Sequence, residues 1–209
     1  MSIKLAVLVS GRGSNLEAIL KAIQEGRLDA AVEVVLSNNP GALALEIARK
    51  YGVPAVVVES KRLSRQEHEE RLLECLDRFS VEYVVLAGYM RVLTPHFLQR
   101  FRDRRGYYRV INIHPSLLPA FPGKSAYEDA FAHGVRLSGI TVHLVDDLVD
   151  HGPILAQEAF PRLDDDTLEA FKERGLAVEH RLYPAVLEAI ARTGINLLPR
   201  ASSQEVLSK

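Results

Sequence analysis

Cysteine is nearly missing: Cys75 stands alone among 209 residues, so no disulfide can form within the chain. It sits in ERLLECLDRF with Leu72, Leu73, Leu76 and Phe79 at helical spacing, and reads as a small core hydrophobe in a reducing compartment. An excess of charge of one sign is missing too. The formal net charge is −1, with Lys, Arg, Asp and Glu interspersed, so there is no overall field for a nucleic-acid backbone or an anionic membrane. No segment approaches the roughly 20 apolar residues needed to span a bilayer. The opening MSIKLAVLVSGRG has an apolar run of only about seven residues and no A-x-A-like site, so it is read as a core strand and not as a signal peptide. Repeats, low-complexity tracts and linkers are absent as well. What remains is one cytoplasmic domain acting on small molecules, without nucleic-acid or membrane partners, as a monomer or homodimer.

With 47% hydrophobic and 25% charged residues, the chain suits a soluble α/β domain able to bury roughly 70% of its unfolded surface. The β-branched runs IKLAVLVS, AAVEVVLS, PAVVVE and YVVLAG read as parallel strands buried on both faces. Amphipathic helices lie between them, with Leu16, Ile19, Leu20 and Ile23, then Ala44, Ile47, Ala48 and Tyr51, at i, i+3, i+4, i+7. Ser64 with Glu67 forms a capping box for a third helix, and Asp166 with Glu169 reads as the start of the last one, kinked at Pro184. A short helix near 94–101, the strand RVINIH, a proline-rich loop, and the locally antiparallel strands GITVHLV and GPILAQEA fill the second half. The polar tail LPRASSQEVLSK reads as frayed.

Two features suggest chemistry. The loop Ser10-Gly11-Arg12-Gly13-Ser14-Asn15 joins the first strand to the first helix, at the carboxyl edge of the sheet, where backbone N–H groups and a helix N-terminus make an anion site. Leu16 replaces the third glycine of G-x-G-x-x-G, and no Walker lysine follows, so a monophosphate suits the loop better than a dinucleotide or a nucleoside triphosphate. A plain turn with Ser14 or Asn15 as N-cap is the competing reading. In YRVINIHPSLLPAF, the period of 2 aims Asn112 and His114 at one face, and Pro115 stops the strand at that same carboxyl edge. An amide donor beside a proton-carrying imidazole suits a carbonyl oxygen that becomes negative. Asp150, before the Gly152-Pro153 turn, is the carboxylate placed to tune the histidine. Asp146 and Asp147 read as solvated or turn-forming, and His143 as either supporting the site or facing solvent. A His114/His143/Asp150 metal site lacks any ligand-spacing motif, and Ser116 lacks the G-x-S-x-G elbow of a hydrolase, so no metal is expected.

The segments VSGRGSNL, VLAGYMRVL, INIHPSLLPAFPG, ITVHLVDDLVDHGPILAQ and VEHRLYP resemble, in order and spacing, the phosphoribosylglycinamide formyltransferase family of purine (IMP) biosynthesis. The resemblance covers nearly the whole chain. It implies a three-layer α/β/α fold with a mostly parallel seven-stranded sheet and one antiparallel strand, divided into a Rossmann-like phosphate-binding half (1–93), a catalytic and folate-binding half (94–195) and a tail (196–209). It further implies Asn112, His114 and Asp150 as the catalytic trio. Gly13, Ser14, Asn15 and Glu179 would hold the phosphoribosylglycinamide. Arg65, Met90, Arg91, Val92, Leu93, Asn112, Asp146 and Asp147 would line the site of 10-formyltetrahydrofolate, the formyl donor. Methionyl-tRNA formyltransferase and formyltetrahydrofolate hydrolase share INIHPSLLP, but each carries a further domain for which 209 residues leave no room. The hydrolase remains the alternative enzyme, and a non-catalytic phosphate-binding module the alternative of another class. Two departures stand out: extra residues in RFRDRRGYYRVINIH, and Leu176 where some members carry a polar side chain.

Overall fold

Alternation along the strands decides which side of the sheet each helix covers. The computed structural model describes residues 2–197. The chain runs β1 (Ile3–Val9), α1 (Ser14–Gln24), β2 (Ala30–Ser37), α2 (Ala44–Lys50), β3 (Ala55–Val57), α3 (Arg65–Leu76), β4 (Tyr83–Leu86), α4 (Pro95–Gln99), β5 (Val110–His114), α5 (Ala126–His133), β6 (Leu137–Leu144), β7 (Ile154–Pro161) and α6 (Leu168–Thr193). Leu5, Val7 and Val9 pack with Leu16 and Ile19 of α1 and with Phe171, Tyr183 and Leu187 of α6. Ala6, Leu8, Val34 and Val84 face the other way, onto Leu72, Cys75 and Leu76 of α3 and Phe97 and Leu98 of α4. Each fully buried Leu, Ile or Phe contributes about 1.5–3 kcal/mol, so two covered faces supply most of the cohesion.

The seven strands are ordered β3-β2-β1-β4-β5-β6-β7. All pairs up to β4–β5 are parallel, and β6 is antiparallel to both of its neighbours, so one strand runs against the rest. From β1 the chain winds outward to β3 and then returns to lay β4 on β1's other side. The switch point therefore falls between β1 and β4, where ligands bind beyond the carboxyl ends of strands. Ser10 clamps this crevice: its hydroxyl donates to Asn38 Oδ1 at 2.6 Å and accepts from the Met90 N–H at 2.9 Å.

Several expectations change in detail. β3 is half-buried and not covered on both faces, because it forms the sheet edge. α5 occupies part of what reads as loop; it is short, and buries only Ala126 and Ala130. Thr167, not Asp166, caps α6, its hydroxyl accepting from the Ala170 N–H at 3.2 Å. Asp166 instead accepts from the Leu163 N–H and pairs with Arg174, whose guanidinium holds the carboxyl down at about 2. α6 runs through Pro184 as one element. The extra residues before β5 form a turn closed by an Arg102–Tyr108 bridge, with the Asp103 N–H donating to Tyr107 O at 2.8 Å. Of the tail, residues 198–209 lie outside the described part. No helix of the described residues is long and apolar enough to cross a membrane.

The buried face of α3 adds a pH dependence. His68 donates from Nε2 to Val58 O at 2.9 Å, and burial holds its pKa below the ordinary 6.5. The unfolded chain takes up a proton near that value before the native state does. Stability is thus fully present above about 6.5 and declines as pH falls through and below it. Thermal unfolding should show Tm dropping from about pH 7 to about pH 5, and the drop should be smaller in His68→Gln.

Candidate active site

The turn after β1 is built on glycine. Gly13 caps α1 with a positive φ of 81°, which favours glycine, so neither Ser14 nor Asn15 is the N-cap. A Cβ on Gly13 would also lie 2.6 Å from Ala44 Cβ and 2.7 Å from Ala44 Cα, pinning this loop against α2. Gly13→Ala should therefore cost about 2–3 kcal/mol and lower Tm by roughly 5–10 °C, measurable by calorimetry; an unchanged Tm would mean the loop relaxes freely.

β5 presents Asn112 and His114 on one face, as its alternation requires, and pairs them with His143 and Thr141 of β6. His114 is buried, and its Nε2 donates to Phe121 O at 2.8 Å, since a carbonyl can only accept. Its Nδ1 lies 3.4 Å from Asp150 Oδ2, and the same carboxylate oxygen accepts from the Gly123 N–H at 2.7 Å. Each ring nitrogen thus faces an acceptor, an arrangement suited to the imidazolium with its two N–H donors. Asp150 reaches this position with a positive φ of 52°, and Phe121 with one of 49°, the kind of local strain that surrounding contacts must hold in place.

His143 faces inward and supports the site. Its Nδ1 donates to Leu144 O at 2.9 Å, which leaves Nε2 to accept from Asn112 Nδ2 at 3.2 Å. Burial pushes its pKa down, so this ring is the neutral one even though Nε2 lies 3.8 Å from Asp150 Oδ1. One amide hydrogen of Asn112 is held by His143, and the other stays free for a ligand. The hydrogen bonds at His114 Nε2 and at both His143 nitrogens also argue against the metal reading of this trio.

Asn112, His114, His143 and Asp150 line a cavity of about 320 Å³, within the size range of small-molecule sites. Met90, Arg91, Val92, Leu93, Asp146 and Asp147 line it too, as do Asn15 and Glu179. Met90, Val92, Leu148 and Val149 are exposed apolar side chains at this cavity, suited to a flat aromatic ligand. Asp146 accepts from His151 Nδ1 at 2.7 Å and Asp147 from Tyr108 OH at 3.3 Å, so the loop bearing Asp150 is tied on both sides. Arg65, at the start of α3, and the half-buried Leu176 are not among the lining residues. Nor is Gly13, while Ser14 opens onto a neighbouring depression along α1. That depression and another near Tyr51, about 600 and 530 Å³, are larger, but neither contains Asn112, His114 or Asp150.

At the far end of the cavity, Glu179 is a buried carboxylate accepting from Asn15 Nδ2 at 2.5 Å and from Tyr127 OH at 2.7 Å. Asn15 Oδ1 is buried without a partner, which leaves an acceptor for a ligand. Burial and the adjacent Glu179 push the Tyr127 phenol far above its usual range, so it remains a donor. Tyr183, one helical turn beyond Glu179, points its hydroxyl at the carbonyls of Leu86 and Ile111 and fixes α6 to the ends of β4 and β5. Ser10 and Tyr127 carry no motif of their own; a serine opening a glycine loop is the one signal that marks Ser10.

A strand-end Asn/His pair with a loop aspartate, set against a glycine loop in this sheet, defines a formyl-transfer class of fold and site. The formyl transferase family model matches residues 3–187, and the chain belongs to that family. Within it, the chain is similar to the phosphoribosylglycinamide formyltransferase of Bacillus subtilis, 40% identical over 188 residues that cover 90% of this chain and 94% of that one. It is also 39% identical over 196 residues to the trifunctional purine biosynthetic protein adenosine-3 of Gallus gallus, covering 93% of this chain but only 19% of that protein's length. Among solved structures, glycinamide ribonucleotide transformylase 1 from Symbiobacterium toebii matches with a TM-score of 0.86 at 44% identity, over 91% of this chain and 88% of that one.

Proposed function

We propose that the chain transfers the formyl group of 10-formyltetrahydrofolate to the primary amine of phosphoribosylglycinamide, a step of de novo purine biosynthesis. The observation that carries this reading is one cavity lined both by Asn112, His114 and Asp150 and by Asn15 and Glu179. The first group addresses a formyl carbon, and the second addresses a ribose phosphate bound at the glycine loop. The apolar lip at Met90, Val92, Leu148 and Val149 suits the pterin end of the folate. Gly13 and Ser14 contribute backbone N–H groups at the start of α1 to the phosphate, beside the cavity.

In this reading the amine attacks the formyl carbon and forms a C–N bond. The free amide hydrogen of Asn112 and the imidazolium of His114 stabilise the oxygen that becomes negative; a strong donor of this kind is worth about 3–4 kcal/mol. Asp150 orients the imidazolium and favours its charge. The bond to N10 then breaks as the oxyanion collapses, and N10 takes up a proton while the attacking nitrogen gives one up, through His114 or a water held by Asp150. No covalent enzyme intermediate is required.

Amine dependence tests the reading. Consumption of the 10-formyl folate, followed spectrophotometrically, should require glycinamide ribonucleotide. Formate release at the same rate without the amine would favour a hydrolase, and binding without turnover would favour a phosphate-binding module.

A further inference from the structure

Gly175 lies in the interior of α6, where glycine is unfavourable by roughly 0.5–1 kcal/mol relative to alanine. Its φ is not in the left-handed region, so conformation does not call for glycine there. Space does. A Cβ at 175 would lie 2.3 Å from the Tyr127 hydroxyl oxygen and 2.4 Å from its Cε1. The phenol of α5 thus crosses the face of α6 through a notch that only glycine leaves, with Phe171 edge-on to it at 6.1 Å between ring centroids. Positions 175 and 179 are one turn apart on the same helix face. The notch therefore delivers the Tyr127 hydroxyl to Glu179 Oε1, while Asn15 holds Oε2.

From this geometry we infer that Tyr127, admitted by Gly175, is a positioning residue that sets the Glu179 carboxylate for the hydroxyls of the acceptor's sugar. The inference rests on the proposed function and extends it to the sugar subsite. Each carboxylate oxygen has two lone pairs. With one on each oxygen committed to a protein donor, the carboxylate is fixed in rotation, and one on each remains. Two adjacent acceptors at fixed spacing suit a vicinal diol, so the subsite selects ribose over a sugar without these hydroxyls. Tyr127 has no part in the formyl chemistry itself, and its removal acts on acceptor binding.

The test compares glycinamide ribonucleotide with its 2′,3′-dideoxy analogue in wild type and Tyr127→Phe. Phenylalanine keeps the ring in the notch and removes only the donor. A hydrogen bond to a charged group is expected to be worth about tenfold in KM. KM for the ribonucleotide should rise about tenfold, with kcat within about twofold and KM for the folate unchanged, while the dideoxy analogue should show no further loss. Gly175→Ala, which closes the notch yet leaves the Tyr127 hydroxyl in the chain, should reproduce the pattern. Thermal unfolding identifies whether either variant fails to fold, in which case the other decides. Equal losses for both acceptors would show a merely structural role, and unchanged KM values in a folded variant would equally overturn the inference. If wild type does not formylate the ribonucleotide at all, the proposed function itself fails, and the inference falls with it; turnover without the split defeats only the inference.

Discussion

His114→Ala is expected to lower kcat by about a thousandfold, the middle of the range for a positioned acid–base group. The imidazole is the only group in the cavity that both carries a proton and contacts a carboxylate and a backbone carbonyl that orient it. Alanine removes the charge beside the developing oxyanion and the route for a proton to N10 together. The fold should survive, because the side chain sits at the carboxyl end of β5 and its loss forfeits a hydrogen bond worth about 1 kcal/mol. Steady-state kinetics with both substrates saturating, alongside thermal unfolding, measure the two effects separately. Turnover within about tenfold of wild type would remove His114 from the mechanism.

Asn112→Leu should lower kcat by about 100- to 1000-fold with little change in either KM, since the amide acts on charge that exists only in the transition state. His143 sharpens this expectation. Its neutral Nε2 holds one hydrogen of the Asn112 amide, so His143→Ala lets the amide rotate and should lower kcat about tenfold. Once Asn112 is leucine, the same change should cost little more, because the two side chains act as one unit. Additive losses in the double variant would mean that His143 acts by another route.

Much of this architecture is legible in the residues because it rests on local rules. The period of 2 in VINIH and the proline after it place Asn112 and His114 together at the edge, and the capping box at Ser64 and Glu67 opens α3 as read. Asp150 is legible only as a candidate, since its approach to His114 depends on a loop with positive φ. Other features depend on partners distant in sequence. Asp166 looks like a helix cap until Arg174 claims it. α5 is too short, and too little of it is buried, to show a period. The Tyr127–Gly175 contact joins two elements that no spacing rule connects. Arg65 shows the opposite case: a position carried over by resemblance lies at the start of α3, outside the cavity lining.

The central claim is that one cavity moves an intact formyl group from a folate nitrogen to a ribonucleotide amine. It is tested most directly by incubating the protein with glycinamide ribonucleotide and a folate carrying a 13C-labelled formyl group, and following the label by NMR. The account expects the label to appear in the formylated ribonucleotide, one formyl per folate consumed, with no free formate. Label collecting in formate, or remaining on the folate while the ribonucleotide stays unmodified, would contradict it.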